Sequence, residues 1–281
     1  MAASAIFRKD ALAGQVAIVT GGGTNLGREA AHELAACGAN VVIAGRREEI
    51  LRVAAEDIGE RCSWVTGDIR KATDAAGIVE ATLSRHSRLD LLVNNAGGQY
   101  FVPAEDIAAK GWQAVQRLNV SGTLTMTHAA VDGAMLAAGA GTIVNVTVSP
   151  HHGMPAMAHT GAARAAVEGL TAELASLWAG EGIAVVAAAI GRFDTESLRK
   201  YPESVTRGAA RSVPLQRLGR MEEFAWLVAM LATPLGRSLS GSVVTLDGAV
   251  DNWQGPWPPP GLADDEGTVP TEERRTAPPS S

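Results

Sequence analysis

Residues 16–27 read VAIVTGGGTNLG. Val16 to Val19 form a short apolar, mostly β-branched run, the composition of a buried strand. TGGG breaks the run at once. Leu26, Ala30, Leu34 and Ala35 then recur at helical spacing until Gly38 stops them. The stretch is therefore a strand, a glycine-rich turn and a helix in immediate succession. Residues without Cβ let the backbone approach a pyrophosphate, and the unpaired N–H groups of a helix N-terminus favour its negative charge. Gly21, Gly23, Thr24, Asn25, Leu26 and Gly27 are the expected cradle. Asn25 stands where a glycine would be easiest; asparagine tolerates left-handed backbone angles better than most residues, so the turn survives.

The same alternation continues outward from this unit. Buried strands are expected at 41–44, around Trp64 and Val65 up to Asp68, and at 89–93, 142–146, 183–190 and 242–246. Helices are expected at 50–58, 105–137, 160–179 and 222–231. The strands are continuously apolar rather than alternating, which indicates a parallel sheet covered on both faces. Crossovers in such a sheet are right-handed. The fold class is thus α/β, a single doubly wound Rossmann-like parallel sheet with helices on both faces. One dinucleotide-binding domain is expected over 14–250, after an N-terminal arm at 1–13 and before a Pro/Trp-rich arm and tail at 251–281. Trp253 and Trp257 in that arm either reach a neighbouring subunit, cover the active site, or pack on their own subunit.

Composition narrows the function. The chain has 281 residues, 46% of them apolar, and a formal net charge of −6. No general basic surface exists for nucleic acid or anionic lipid. Cys37 and Cys62 make neither a disulfide framework nor a metal spacing, and no metal site is expected. The start, MAASAIFRKD, has no apolar core and does not read as a signal peptide. No apolar run reaches membrane-spanning length. A cytoplasmic protein acting on a small molecule is the expectation.

The second strand ends VVIAGRR, so Gly45 occupies the place where an acid would bind a ribose 2′-hydroxyl. Arg46 follows. Its guanidinium either pairs with a 2′-phosphate through charge-assisted bonds, with Thr24 adding a hydroxyl, or solvates a helix start beside Arg47. The first reading makes the cofactor NADP(H).

Four further motifs stand in order. They are Asn94–Gly97 (NNAG), Asn119 in RLNVSGT, Ile190-Gly191 with Thr195, and Leu246-Asp247-Gly248. With the glycine turn, they make the chain resemble the short-chain dehydrogenase/reductase family from about Gly14 to Gly248. The resemblance implies that Asn95, Ala96, Gly97, Gly191 and Thr195 also hold cofactor. It implies that Asp68, with Ile69, meets the adenine, although Asp68 also reads as an N-cap. It implies too that 192–214 covers substrate, and that the protein forms a homodimer or homotetramer.

Residues 159–164 read HTGAAR. The family's usual tyrosine and lysine positions hold Thr160 and Arg164. Thr147, thirteen residues before Thr160, occupies the family's serine position. HTGAAR and GGQYFVPAEDIAAKGW look most like the peroxisomal trans-2-enoyl-CoA and 2,4-dienoyl-CoA reductase branch. The resemblance then implies an NADPH-dependent reductase of an activated C=C bond. Hydride goes to the β-carbon and charge develops on a thioester oxygen, so a tyrosine acid is less necessary than in ketone reduction. Thr147 and Ser149 are the expected oxyanion donors, Arg164 the charge on the ribose, and Asn119 a helix-distorting amide. Replacement acids are Tyr100, Tyr201 and the histidines His151, His152 and His159, with His159 chiefly a positioning residue. Arg192 either binds an acidic substrate group or pairs with Asp194. The alternatives are a carbonyl reductase with a relocated proton donor and a catalytically silent NADP-binding protein.

Overall fold

The computed structural model describes residues 3–149, 151–154, 156–196, 198–200 and 208–252. Tyr201 and the Trp253–Pro260 arm lie outside them. Seven strands form one sheet: β1 (Val16–Thr20), β2 (Asn40–Gly45), β3 (Cys62–Thr66), β4 (Leu91–Asn94), β5 (Gly141–Val148), β6 (Ile183–Ile190) and β7 (Val243–Leu246). Their spatial order is β3-β2-β1-β4-β5-β6-β7. Every pairing is parallel, from Val16 opposite Asn40 to Ile190 opposite Leu246. The doubly wound α/β reading therefore holds.

The sheet is buried because both faces are packed. Val19, Val41, Ile43 and Val93 point to one side, against α1 (Asn25–Ala36), α2 (Glu48–Ile58) and the late helix at Met221–Leu231. Ile18, Val42, Leu92 and Ile143 point to the other, against α3 (Ala72–His86) and the long helical rod that follows β4. The period of two along each strand assigns neighbours to opposite layers. The strand order reverses direction between β1 and β4, so the crossovers diverge there and leave a crevice beyond the carboxyl ends of the strands.

Two expected elements differ. α3 was not anticipated, although its buried positions Ala75, Ile78, Val79 and Thr82 follow helical spacing. Alanine and glycine dilute the apolar stripe there, so periodicity is faint. The single helix expected over 105–137 is a 3₁₀ turn at Ala104–Asp106 followed by a segmented rod. The rod comprises α4 (Ala109–Gln116), a π-turn at Arg117–Ser121, α5 (Gly122–Ala130), a second π-turn at Val131–Met135 and α6 (Leu136–Ala138). The next helices are α7 (Ala158–Trp178) and α8 (Met221–Leu231). The first π-turn carries Asn119 and is where the sequence placed a distortion. Such bulges recur at functional sites.

Candidate active site

The crevice is a cleft of about 900 Å³. One wall is the glycine turn. Gly21 has φ +65° and Asn25 φ +47°, both left-handed, as the asparagine substitution required. A Cβ on Gly27 would lie 2.4 Å from both Gly21 O and Asn95 Nδ2, so only glycine fits. Asn95 in turn donates from Nδ2 to Thr20 O at 2.9 Å, and its N–H donates to Thr20 Oγ1 at 3.0 Å. Thr24 is the N-cap of α1 yet makes no side-chain capping bond. The Thr24 side chain therefore does not occupy the N-terminus of α1, and these residues fit a dinucleotide pyrophosphate. Asn25 Oδ1 accepts the Glu196 N–H at 3.1 Å, which ties the segment after β6 to the cradle.

Farther along, Gly45, Arg46, Asp68 and Ile69 line the cleft. Arg70 donates to Asp68, with Nη2 at 2.5 Å from Oδ2 and the Arg70 N–H at 3.1 Å from Oδ1. The side-chain bond from Arg70 holds the Asp68 carboxyl down at about 2 despite partial burial. Asp68 is no N-cap, because α3 begins at Ala72 and Lys71, three residues after Asp68, holds that place.

At the opposite end, Ala96, Gly97, Thr147, Ser149, Arg164, Gly191, Arg192 and Thr195 line the cleft. Arg164 is only 8% exposed. Its Nη1 donates to Val146 O at 2.8 Å, while Nε has no partner. Burial pulls its pKa down to about 10, so it stays cationic at neutral pH. A Cβ on Gly97 would lie 2.4 Å from Arg164 Nη2, so that glycine makes room for the guanidinium. A buried cation with an unused donor suits ribose hydroxyls. Asn119 Nδ2 donates to Gly98 O and Val115 O, both at 2.9 Å, and Oδ1 accepts the Gly98 N–H at 3.2 Å. It braces the loop after β4 rather than the cleft wall.

The hydroxyl expected to meet an oxyanion is already engaged. Thr147 Oγ1 donates to Glu168 Oε1 at 2.7 Å, and Ser149 Oγ donates to Asp247. Glu168 carries no motif in the sequence, and Asp247 stands there only as part of Leu246-Asp247-Gly248. Glu168 stands four residues after Arg164, hence on the same helix face, and that spacing was the available signal. His151 Nε2 lies 3.1 Å from the same Glu168 Oε1, and its Nδ1 lies 2.5 Å from Asp251 Oδ2.

Other sequence candidates lie off the wall. Thr160 and His159 are fully buried, and neither the Thr160 hydroxyl nor either His159 nitrogen has a partner. Burial lowers the His159 pKa and keeps the ring neutral. Tyr100 packs edge-on against it, centroids 4.4 Å apart, while Phe101, Met154 and Met157 face the cleft instead. Asp194 pairs with Arg199 at 3.3 Å. That leaves Arg192 without an ion pair among the described residues, so the reading that pairs it with Asp194 does not hold. Among these residues no group of His, Cys, Asp and Glu is arranged to hold a metal ion. None of their helices is long and apolar enough to cross a membrane.

Comparison with known proteins agrees with this architecture. A family model described as short chain dehydrogenase matches residues 15–205. The peroxisomal 2,4-dienoyl-CoA reductase [(3E)-enoyl-CoA-producing] of Arabidopsis thaliana is 32% identical over 258 residues, 87% of each chain. The cis-4-hydroxycyclohexanecarboxylate dehydrogenase of Sinomonas cyclohexanicum is 34% identical over 245 residues, 85% of this chain and 97% of that one. Among solved structures, the citronellol catabolism dehydrogenase of Pseudomonas aeruginosa PAO1 superposes with a TM-score of 0.79. It is 37% identical, over 88% of this chain and 99% of that one. The chain therefore belongs to the short-chain dehydrogenase/reductase family of nicotinamide-dependent oxidoreductases.

Proposed function

We propose that the protein is an NADPH-dependent reductase of an activated carbon–carbon double bond, of the enoyl-thioester kind. One observation carries this reading. At the reactive end of the cleft the described wall offers a hydroxyl backed by a carboxylate, Thr147 on Glu168, and no phenol. A ketone needs an acid for its alkoxide at the moment of hydride transfer. An enoyl thioester passes charge to its carbonyl oxygen and takes its proton on the α-carbon afterwards. The similarity to a dienoyl-CoA reductase supports the same substrate class.

The residues divide the work. Gly21 to Gly27 hold the pyrophosphate, Arg46 and Thr24 the 2′-phosphate, Asp68 the adenine, and Arg164 the nicotinamide ribose. When bound, the dinucleotide supplies the hydride. Arg192, a cation on the cleft wall, meets an anionic group of the substrate or of its carrier. Thr147 returns a proton from Glu168 to the substrate. A second reading, a carbonyl reductase whose donor has moved to Thr147–Glu168, is favoured by the same pair and by the dehydrogenase relative.

Incubating the protein with NADPH and crotonyl-CoA or a longer enoyl-CoA tests the reading. Oxidation of NADPH is expected, and turnover of ketones without turnover of enoyl thioesters would sink it. In the same assay Arg46→Ala is expected to raise the KM for NADPH about 10- to 100-fold, the equivalent of one charge-assisted bond, while leaving that for NADH unchanged. An equal effect on both cofactors would return Arg46 to a solvating role. Thr160→Val should leave turnover within about twofold and hold or raise stability, since it removes a buried hydroxyl that lacks a partner. A collapse in turnover would place Thr160 on the substrate.

A further inference from the structure

We infer that His151 supplies the proton that Thr147 and Glu168 deliver to the cleft, with Asp251 holding the imidazole in line. The inference rests on the reduction reading above and adds the donor that the reading leaves unassigned. Two bonds make a continuous path from wall to solvent. Thr147 Oγ1 and His151 Nε2 both meet Glu168 Oε1, at 2.7 and 3.1 Å. Thr147 lines the cleft and is fully buried, whereas the His151 side chain is 32% exposed. The path therefore begins at the substrate and ends where water can recharge it.

The ring is fixed from behind. Asp251 binds His151 twice, accepting its backbone N–H at 2.7 Å on Oδ1 and meeting Nδ1 at 2.5 Å with Oδ2. Asp251 is itself seated, because its N–H donates to Asp247 Oδ2 at 2.8 Å. With Nδ1–H given to the Asp251 carboxylate, Nε2 carries a proton only in the imidazolium, and that proton is aimed at Glu168. The titratable groups facing the ring are Glu168 from α7 and Asp251 from the turn after β7, with Asp247 behind it. His152, on the same loop, lies 3.5 Å from Asp251. Burial opposes charging the imidazole, but the Asp251 and Glu168 carboxylates outweigh it and raise its pKa above the ordinary value. Burial also pushes Asp251 up, and the bonds from His151 outweigh that, leaving its carboxyl below the usual range. Both shifts favour the imidazolium–carboxylate form of the pair.

The proton count closes. The imidazolium gives its Nε2 proton to Glu168 Oε1, which becomes a carboxylic acid. That acid donates to Thr147 Oγ1, and the threonine hydroxyl turns its own proton to the substrate α-carbon. Glu168 returns to carboxylate, Thr147 to a neutral hydroxyl, and the now neutral His151 takes one proton from solvent. No electrons move through the path.

The test is kcat against pH for the full-length protein with NADPH, on crotonyl-CoA and on a ketone. Either product needs a proton, so the path is read on whichever is reduced; the choice between them judges the reaction reading separately. Since the donor is the charged ring, kcat should be full below the His151 pKa and fall as pH rises through it. His151→Gln should lower kcat roughly 10²-fold or more, remove that alkaline fall and leave the Kd for NADPH unchanged. Added imidazole should restore part of the rate. Asp251→Asn keeps the ring but loses a carboxylate, so the fall should move to lower pH; this second variant covers a failure of the first to fold. A His151→Gln enzyme with wild-type kcat, or one that is slow with an unmoved alkaline limb and no response to imidazole, overturns the inference. A protein that reduces neither substrate overturns both it and the reaction reading.

Discussion

Gly27→Ala is expected to weaken dinucleotide binding about 10- to 100-fold or more, with the Kd for NADPH as the measurement. The added methyl would sit 2.4 Å from Gly21 O and 2.4 Å from Asn95 Nδ2, and 2.9 Å from Gly21 C. Two of those three atoms are backbone, and neither can rotate away. Accommodation requires the turn to open, which pulls Asn95 from its bond to Thr20 O. Overpacking of this sort costs about 1–3 kcal/mol, and here the strain falls on the atoms that would meet the pyrophosphate. Gly169→Ala is the control. Its Cβ meets nothing within 4 Å and it lies within α7, so the change should stabilise by about 0.5–1 kcal/mol and leave binding alone. Wild-type affinity in Gly27→Ala would mean that the cradle holds something other than a dinucleotide.

The contrast between these glycines explains what was legible in the chain. A turn that must approach a ligand writes itself into sequence, because only glycine or asparagine tolerates the backbone it needs. Gly21, Asn25 and Gly27 could be read without coordinates for that reason. Strands buried on both faces are legible too, since they remain apolar throughout. α3 was hidden by its small residues, because alanine and glycine give little periodic contrast.

Side-chain direction was the harder problem. On α7 the buried positions Thr160, Ala163, Arg164, Val167 and Thr171 form one stripe at spacings of three and four. Being at a reactive position in sequence does not bring a short side chain to the cleft. Threonine ends inside the stripe, whereas the long Arg164 passes under Gly97 to reach the wall. Tyr100 and Phe101 show the same limit on a loop, where neighbours point oppositely and only Phe101 faces the cleft. Thr147 was found by its spacing from Thr160, but its bond partner was not, because Glu168 lies 21 residues away on another element.

That partner carries the largest expected loss. Glu168→Gln should lower kcat by about 10²–10⁴-fold, the range for a general acid or base, while the Kd for NADPH and the melting temperature change little. Glutamine keeps the size of the side chain and an oxygen for Thr147, so the geometry of β5 against α7 persists. What it cannot do is take a proton from His151 or pass one on, because an amide does not ionise in the working range. Loss of the anionic acceptor also weakens the Thr147 bond, from about 1.5–3 kcal/mol toward the 0.5–1.5 kcal/mol of a neutral pair. Glu168→Asp separates chemistry from reach. It keeps the ionisable group but shortens the side chain by one methylene, so it cannot span both the 2.7 Å and the 3.1 Å bonds unaided, and activity should fall between the two. A Glu168→Gln enzyme within about tenfold of wild type would remove the carboxylate from the reaction. Thr147 would then remain only as a hydroxyl that packs the cleft wall.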